Sequence, residues 1–336
     1  MRPSASRSRK PLFSMNATRR AALLLLATPA FLQNSLAEAP YPNRPIRFVV
    51  PFPAGSGAEA AARFMGKKIT EITGQPVIVD PRGGGNGFIG VQAVLTAPPD
   101  GYTLFFGSNS TLATNVALYK KLPYDPLVDF VPISLVMRSP IVLLTSSSSP
   151  YKRLDALVEA AQRTPGQITI GTGSAGYLLM AELFAQRAGI KYTNVPYKSA
   201  PETVAAVISG QVDLGVVDIT SAMPLIRGGR ASALAIAAEK RTSAAPEVPT
   251  TAEAGISNFT SAPWNALAAP EKVPKDIVDT LSDLFVRILA MPDTQKFFAD
   301  QHVEVMRGGQ AEMRLYQRAE IDKWKKIALE AKVQLQ

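Results

Sequence analysis

Three runs in this sequence carry residue types at spacings that could do chemistry. Gly85-Asn-Gly87-Phe-Ile-Gly90 has the G-x-G-x-x-G spacing that lets a backbone approach a pyrophosphate, and it follows the apolar run Val77-Ile-Val79. Pro81-Arg-Gly-Gly84 separates the two, however. The next apolar run, Thr103 to Phe106, ends in Gly107-Ser108-Asn109 with no acid to hold a ribose. The run reads as a structural loop at a helix start. Ser174 sits in a glycine turn, but Thr172 stands where a nucleophile elbow needs glycine. The single histidine, His302, lies beside Asp300 and Gln301 in a polar stretch that reads as surface. Asp213 and Asp218 flank an apolar run and would point to different places, so they do not form a metal site. With no cysteine at all, thiol catalysis, iron–sulfur clusters and Cys-ligated zinc are excluded.

Two other places offer binding rather than bond-making. Pro51-Phe-Pro-Ala-Gly-Ser-Gly-Ala58 and Gly171-Thr-Gly-Ser-Ala-Gly176 each follow an apolar run and precede a helical pattern. Glycines let such a turn expose its N–H groups, and the helix start adds partial positive charge. Each can hold an anion without an arginine, and two facing turns could clamp one between them.

The elements that must position these turns follow from periodicity. Extended runs are expected at Ile46–Pro51, Pro76–Asp80, Tyr102–Phe106, Pro140–Thr145, Gln167–Gly171, Tyr192–Tyr197, Leu214–Asp218 and Ala233–Ala237. Between them lie helical patterns at Ala61–Ile72, Phe88–Ala97, Leu154–Arg163, Leu178–Ala188, Pro201–Ser209 and near Ala222. This alternation predicts parallel α/β sheets in two units, roughly Glu38–Pro140 and Ile141–Ser261. A returning segment around Trp264 and two tail helices would complete the first unit. The tail faces, Ile277 to Leu289 and Met313 to Ala331, are expected to pack back onto a lobe.

The formal charge of the 336 residues is +9, which would suggest nucleic acid. Six of the positive residues, Arg2, Arg7, Arg9, Lys10, Arg19 and Arg20, fall within residues 1–37, which hold no acid. Without them 30 basic residues face 27 acidic ones. Lys323, Lys325 and Lys326 around Trp324 are interspersed with Glu320, Asp322 and Glu330, a solvated helix face. No nucleic-acid partner is expected. Residues 1–37 read as a signal peptide: a basic start, a 12-residue apolar stretch Ala21–Leu32, too short for the roughly 20 residues of a bilayer span, and a small-residue site ending at Ala37. Thr18-Arg19-Arg20 leaves both the Sec and the twin-arginine routes open, and Met1 or Met15 could be the start. The expected location is the periplasm.

The run Tyr41-Pro-Asn-Arg-Pro-Ile-Arg-Phe-Val-Val-Pro-Phe-Pro-Ala-Gly55 resembles the N-terminal signature of the Bug family, the periplasmic solute-binding proteins of tripartite tricarboxylate transporters. Gly83–Gly90, Pro99-Asp-Gly-Tyr-Thr-Leu104, Val195-Pro-Tyr-Lys198, Gly210-Gln-Val-Asp213, Ala233-Leu-Ala235 and Pro246–Gly255 match in order along the mature chain. The resemblance implies an α/β, two-lobe Venus-flytrap periplasmic binding protein (type II-like) with the ligand cleft between lobes. Lobe 1 would comprise residues 38–140 plus 262–336, and lobe 2 residues 141–261. It implies a small organic anion as ligand, permease subunits of a tripartite tricarboxylate transporter as partners, a monomer, and neither cofactor, metal nor catalysis. An orphan receptor feeding a signalling partner, or an exported hydrolase, would be the alternatives.

The ligand-binding residues implied are Phe52, Ala54, Gly55 and Ser56 in the first turn, and Gly107, Ser108 and Asn109 after the third strand. Thr172, Gly173, Ser174 and Ala175 in the second turn, with Tyr197 and Asp218, complete the set. Hinge motion would occur near Pro140–Thr145 and Ser261–Ala268. Ser56 and Glu59 stand where the family commonly has Gly and Asp, the second turn is about two residues short, and Asp218 stands where Asn is frequent. An ionised Asp218 would repel an anion unless it met an ammonium or hydroxyl group. The ligand is therefore expected to carry one of these besides its carboxylate, or to be more apolar and to contact Tyr177.

Overall fold

In the computed structural model the described residues are 40–242 and 245–335; the expected leader, residues 1–37, lies outside them. The chain opens with β1 (Ile46–Val50), α1 (Gly57–Thr73), β2 (Val77–Pro81), a short 3₁₀ turn at Gly85–Gly87, α2 (Phe88–Leu95) and β3 (Thr103–Ser108). A π-helical turn, Ser110–Thr114, runs into α3 (Asn115–Leu118), followed by β4 (Phe130–Arg138). The second set is β5 (Ile141–Ser146), α4 (Leu154–Arg163), β6 (Thr169–Thr172), α5 (Ala175–Ala188), β7 (Thr193–Pro196), α6 (Ala200–Ile208), β8 (Leu214–Asp218), α7 (Ile219–Arg227) and β9 (Ala231–Ala237). The chain returns through β10 (Trp264–Pro270), α8 (Lys275–Ala290), α9 (Pro292–Asp300), β11 (Glu304–Val305) and α10 (Gln310–Glu330).

The strands form two sheets, one ordered β11-β4-β10-β3-β1-β2 and the other β7-β6-β8-β5-β9. The expectation of parallel sheets is corrected here, because both are mixed. β1 pairs parallel with β2 and β3, but β10 enters between β3 and β4 antiparallel to both. In the second sheet β6 is parallel to β7 and β8, and β5 is antiparallel to β8 and β9. The reason is the double crossing of the chain: β5 and β10 are each the first strand after a crossing, and each enters the interior of its sheet against its neighbours. Strands buried on both faces read as continuous apolar runs, as in Ile46-Arg-Phe-Val-Val50 and Ile141-Val-Leu-Leu144.

β4 was not expected, and Pro132 is why. A proline within an apolar run argues against a strand, but here it sits where the pairing with β10 shifts register, between Leu267 opposite Ser134 and Ala268 opposite Pro132. The two crossings lie side by side, with Ser139 N–H donating to Pro263 O at 2.9 Å. The helix expected at Phe88–Ala97 stops at Leu95.

One face of the first sheet packs Phe48 and Phe106 against Phe285 of α8 and Met65 of α1; the other packs Phe105, Phe130 and Trp264 with Met313 and Ile321 of α10. The second sheet surrounds Leu143, Ile170, Val216 and Phe184. α10 does not stay on one lobe. Its last turns place Trp324 and Ile327 in the second cluster, so the tail expected on one lobe covers both. Glu320, buried on this helix, accepts from the indole N–H of both Trp264 (3.0 Å) and Trp324 (2.9 Å).

Candidate functional site

β1 runs into the turn Pro51–Ser56, where Gly55 has φ 87°, a left-handed value that disfavours a side chain. Ser56 then caps α1, its Oγ accepting from Glu59 N at 3.2 Å. Glu59 turns back to accept from Gly55 N–H at 2.6 Å and from Arg63 at 2.5 and 2.8 Å. The Gly55 amide, and behind it Arg63, hold the Glu59 carboxyl below its usual range, so the bracket stays ionised and fixes the turn.

In the second sheet β6 runs into Gly173, and Ser174 caps α5 by accepting from Tyr177 N at 3.5 Å. A Cβ on Gly173 would lie 2.3 Å from the carbonyl carbon of Ser199, so only glycine lets these two backbones touch. That approach brings in Ser199, which caps α6 through Glu202 N at 3.4 Å. Asp218, at the end of β8, caps α7 through Ser221 N at 2.9 Å. Its Oδ2 accepts from Tyr177 OH at 2.7 Å and Ser221 Oγ at 3.0 Å. Burial, reinforced by the Asp218 charge, raises the Tyr177 phenol far above its usual range, so it remains a donor to that carboxylate.

All four capping residues, Ser56, Ser174, Ser199 and Asp218, line one cavity between the lobes. Counting its open mouth, the cavity has a volume of about 520 Å³. Only a small solute fits there without the walls parting. Gly57, Ala58, Phe52, Ser108 and Asn109 form the first-lobe wall with Met137, Trp264 and Asn265; Tyr177, Ala200 and Thr220 belong to the second, and Ser139 and Pro263 come from the crossings. Among the described residues no lysine, arginine or histidine lines it, and Asp218 is the one charged side chain that does. Positive potential comes instead from helix starts, whose first N–H groups have no partner within the helix.

Two buried polar atoms in the wall, Asn109 Nδ2 and Ser139 Oγ, have no hydrogen-bond partner. A buried unpaired donor is costly, and it commonly marks where a ligand or water belongs. The lobes already touch: Ser110 Oγ donates to Ser174 Oγ at 3.1 Å and accepts from Gly176 N at 3.1 Å. Thr220 Oγ1 donates to Gln301 O at 3.4 Å, and Arg227 Nη2 lies 3.0 Å from His302 Nε2.

The sequence-derived residues divide. Phe52, Ser56, Ser108, Asn109, Ser174 and Asp218 line the cavity. Ala54 and Gly55 are exposed at the tip of the first turn. Gly107 supports from behind, its carbonyl accepting from Asn265 Nδ2 at 3.0 Å. Thr172 turns its hydroxyl to Asn194 Oδ1 at 2.8 Å, Gly173 gives the close approach to Ser199, and Ala175 is buried at the start of α5. The ring of Tyr197 packs on Gly171, and its N–H donates to Thr172 O. Ser199, two residues on, takes the place in the wall. Its sequence signal was the capping pattern Ser199-Ala-Pro-Glu202. Ser139, Trp264 and Asn265 have no local signal, since the crossings alone bring them in.

Rival chemistries find no support in the geometry. Gly90 is tightly packed, a Cβ there falling 3.1 Å from Pro51 Cα, and Gly87 would meet Thr111 at 2.4 Å; the glycine run connects β2 to α2 and packs against Pro51 at the end of β1. Ser174 is a helix cap, and His302 faces Arg227. Asp213 accepts from Thr169 N and Oγ1 at 2.8 and 2.7 Å, and no cluster of three or more potential metal ligands occurs among the described residues.

The sequence profile described as "Tripartite tricarboxylate transporter family receptor" matches residues 61–333. BugT of Bordetella pertussis is 32% identical over 325 residues, covering 96% of this chain and 100% of that one. A protein from the tcbD-tcbE intergenic region of Pseudomonas sp. strain P51 is 32% identical over 293 residues, covering 86% and 87%. Among solved structures, R. palustris Rpa4515 with adipate aligns with a TM-score of 0.85 at 30% identity, covering 88% of this chain and all of that one. MatC from Rhodopseudomonas palustris with bound malate aligns at 0.80 and 29%, covering 85% and 99%.

Proposed function

The chain belongs to the tripartite tricarboxylate transporter receptor family, and from that premise we propose that it captures a small organic carboxylate between its lobes and delivers it to the membrane permease of such a transporter. The family is one of solute-binding receptors rather than enzymes. One observation carries the choice of ligand: four helix N-caps face a cavity that no basic side chain lines among the described residues. Helix starts and hydroxyls suit a carboxylate that must be released again, since they attract an anion without a fixed counter-charge. Related structures hold adipate and malate, both small carboxylates, which supports the same class here.

The receptor works in the periplasm as a monomer after removal of residues 1–37. Its lobes are residues 38–140 with 262–336 and residues 141–261, hinged at the paired crossings. No helix among the described residues is long and apolar enough to cross a membrane, which agrees with a receptor that meets its permease from outside the bilayer. Phe52, Ser56, Ser108, Asn109, Ser174 and Asp218 contact the ligand. Ala54, Gly55, Gly107, Thr172, Gly173, Ala175 and Tyr197 shape the turns that present them. Closure on the ligand distinguishes the loaded form for the permease.

A thermal-shift screen of the chain from Glu38 onward, against dicarboxylates, tricarboxylates, aromatic acids and amino acids, tests the reading. A ligand at 100 times its Kd adds about 2.7 kcal/mol, enough for a rise of several degrees. At least one carboxylate should give that rise. A screen in which only uncharged solutes stabilise the protein would contradict it.

A further inference from the structure

Each helix start facing the cavity is equivalent to roughly half a positive elementary charge, so the four together offer about two. A dicarboxylate would match that if the walls were otherwise neutral, but the second wall supplies a carboxylate of its own. Asp218 is 7% exposed, and its Oδ1 lies 3.6 Å from where a Cβ on Gly57 would be. Gly57 is the first residue of α1. The Asp218 carboxylate of one lobe therefore stands at a helix start of the other, as a bound anion would.

The hydrogen bonding of Asp218 leaves it one opening. Two carboxylate oxygens accept about four hydrogen bonds. Oδ2 already takes two, from Tyr177 OH and Ser221 Oγ, whereas Oδ1 takes only Ser221 N–H. The unpartnered donor Asn109 Nδ2 is elsewhere in the cavity, packed against Gly176, and the next residue, Tyr177, spans from there to Asp218. The cavity thus has an unused donor at Asn109 Nδ2 and an open acceptor at Asp218 Oδ1, which itself stands at the start of α1.

We propose that the ligand is a monocarboxylate carrying a hydroxyl or ammonium group, rather than a dicarboxylate. Its carboxylate meets Asn109 Nδ2, and its donor meets Asp218 Oδ1. This deepens the carboxylate reading and rests on it. A second ligand carboxylate would face Asp218 at short range between the lobes, where like charges repel.

Calorimetric titration with matched acids tests this: succinate, 4-hydroxybutyrate, 4-aminobutyrate and butyrate, then the five- and six-carbon sets. The protein is the chain from Glu38 onward and its Asp218→Asn variant, in which asparagine still caps α7. In the wild type the hydroxy or amino acid of at least one set should bind about 10- to 100-fold more tightly than the diacid of equal length, the range for a hydrogen bond to a charged group. Asp218→Asn should reverse that order. The wild-type ranking stands alone if the variant does not fold. A diacid that binds more tightly in the wild type would overturn the inference and leave the carboxylate reading intact. An unchanged ranking in Asp218→Asn would overturn the role of Asp218. Binding by none of these acids, with no carboxylate hit in the wider screen, would overturn both.

Discussion

The two walls of the cavity are built by the same device, a strand running into a glycine turn and a serine-capped helix, yet they differ in where their polar groups are engaged. On the first wall Ser56 caps α1 and Glu59 brackets the turn, but Asn109 Nδ2 is buried without a partner. On the second wall Ser174, Ser199 and Asp218 all serve their own helices, and Gly173 seats two backbones against each other. The first wall keeps a donor in reserve, while the second is internally satisfied apart from one carboxylate oxygen. On the proposed function, recognition of the anionic group would belong mainly to the first wall, and the second would set the shape of the cavity and which other group the ligand carries.

That division can be broken by substitution, and the largest effect is expected at the reserved donor. Asn109→Leu removes a buried unpaired polar group and keeps the branched four-atom shape of the side chain, so the unliganded protein should melt at the same temperature or higher. Carboxylate affinity should fall by about 10- to 100-fold in calorimetry. A fall in melting temperature with affinity intact would make Asn109 structural and erase the contrast between the walls.

Two of the glycines of the second turn, Gly173 and Gly176, should separate folding from closing. Gly173→Ala forces a Cβ into the Ser199 backbone within one lobe, and overpacking of this kind costs about 1–3 kcal/mol, read as a lower midpoint in urea. Gly176→Ala instead meets Asn109 Nδ2 at 2.4 Å, across the gap between lobes. The urea midpoint should hardly move, because alanine suits the first turn of α5, while carboxylate affinity drops about tenfold. If both variants lost stability alike, the lobes would not part as separate bodies.

The smallest effect concerns pH. His302 lies against Arg227 of the opposite lobe, and burial, followed by the Arg227 charge, pulls its pKa below the usual imidazole value, with Asp300 opposing. The closed form therefore binds a proton less readily than an open one, where the imidazole would titrate near its ordinary value of about 6.5. Closure carries no penalty above that range and weakens as pH falls through it. Affinity measured from pH 7.5 down to 5.5 should decline, and His302→Gln should flatten the decline.

Much of this architecture was legible because local chemistry agreed with the fold. Leu154–Arg163 showed its boundaries by apolar spacing alone, and Ser56 and Ser174 stood at the junction of turn and helix, where caps belong. What escaped was set by long-range pairing. Pro132 hid β4, and nothing local says that β10 will insert between β3 and β4 and turn a parallel sheet into a mixed one. The same holds at the site. Tyr197 was the expected ligand group on this stretch, but the chain lays its ring on Gly171 and Ser199 lines the cavity. Trp264, Asn265 and Ser139 reach the wall only because two crossings lie together.

A crystal structure with the best ligand from the screen tests most directly whether the first wall, through Asn109, holds the carboxylate. A carboxylate oxygen is expected about 2.7–3.2 Å from Asn109 Nδ2, with the lobes closed around the ligand. A ligand seated elsewhere, as in the cavity behind the crossings bounded by Arg138, Ser261 and Lys323, would contradict it.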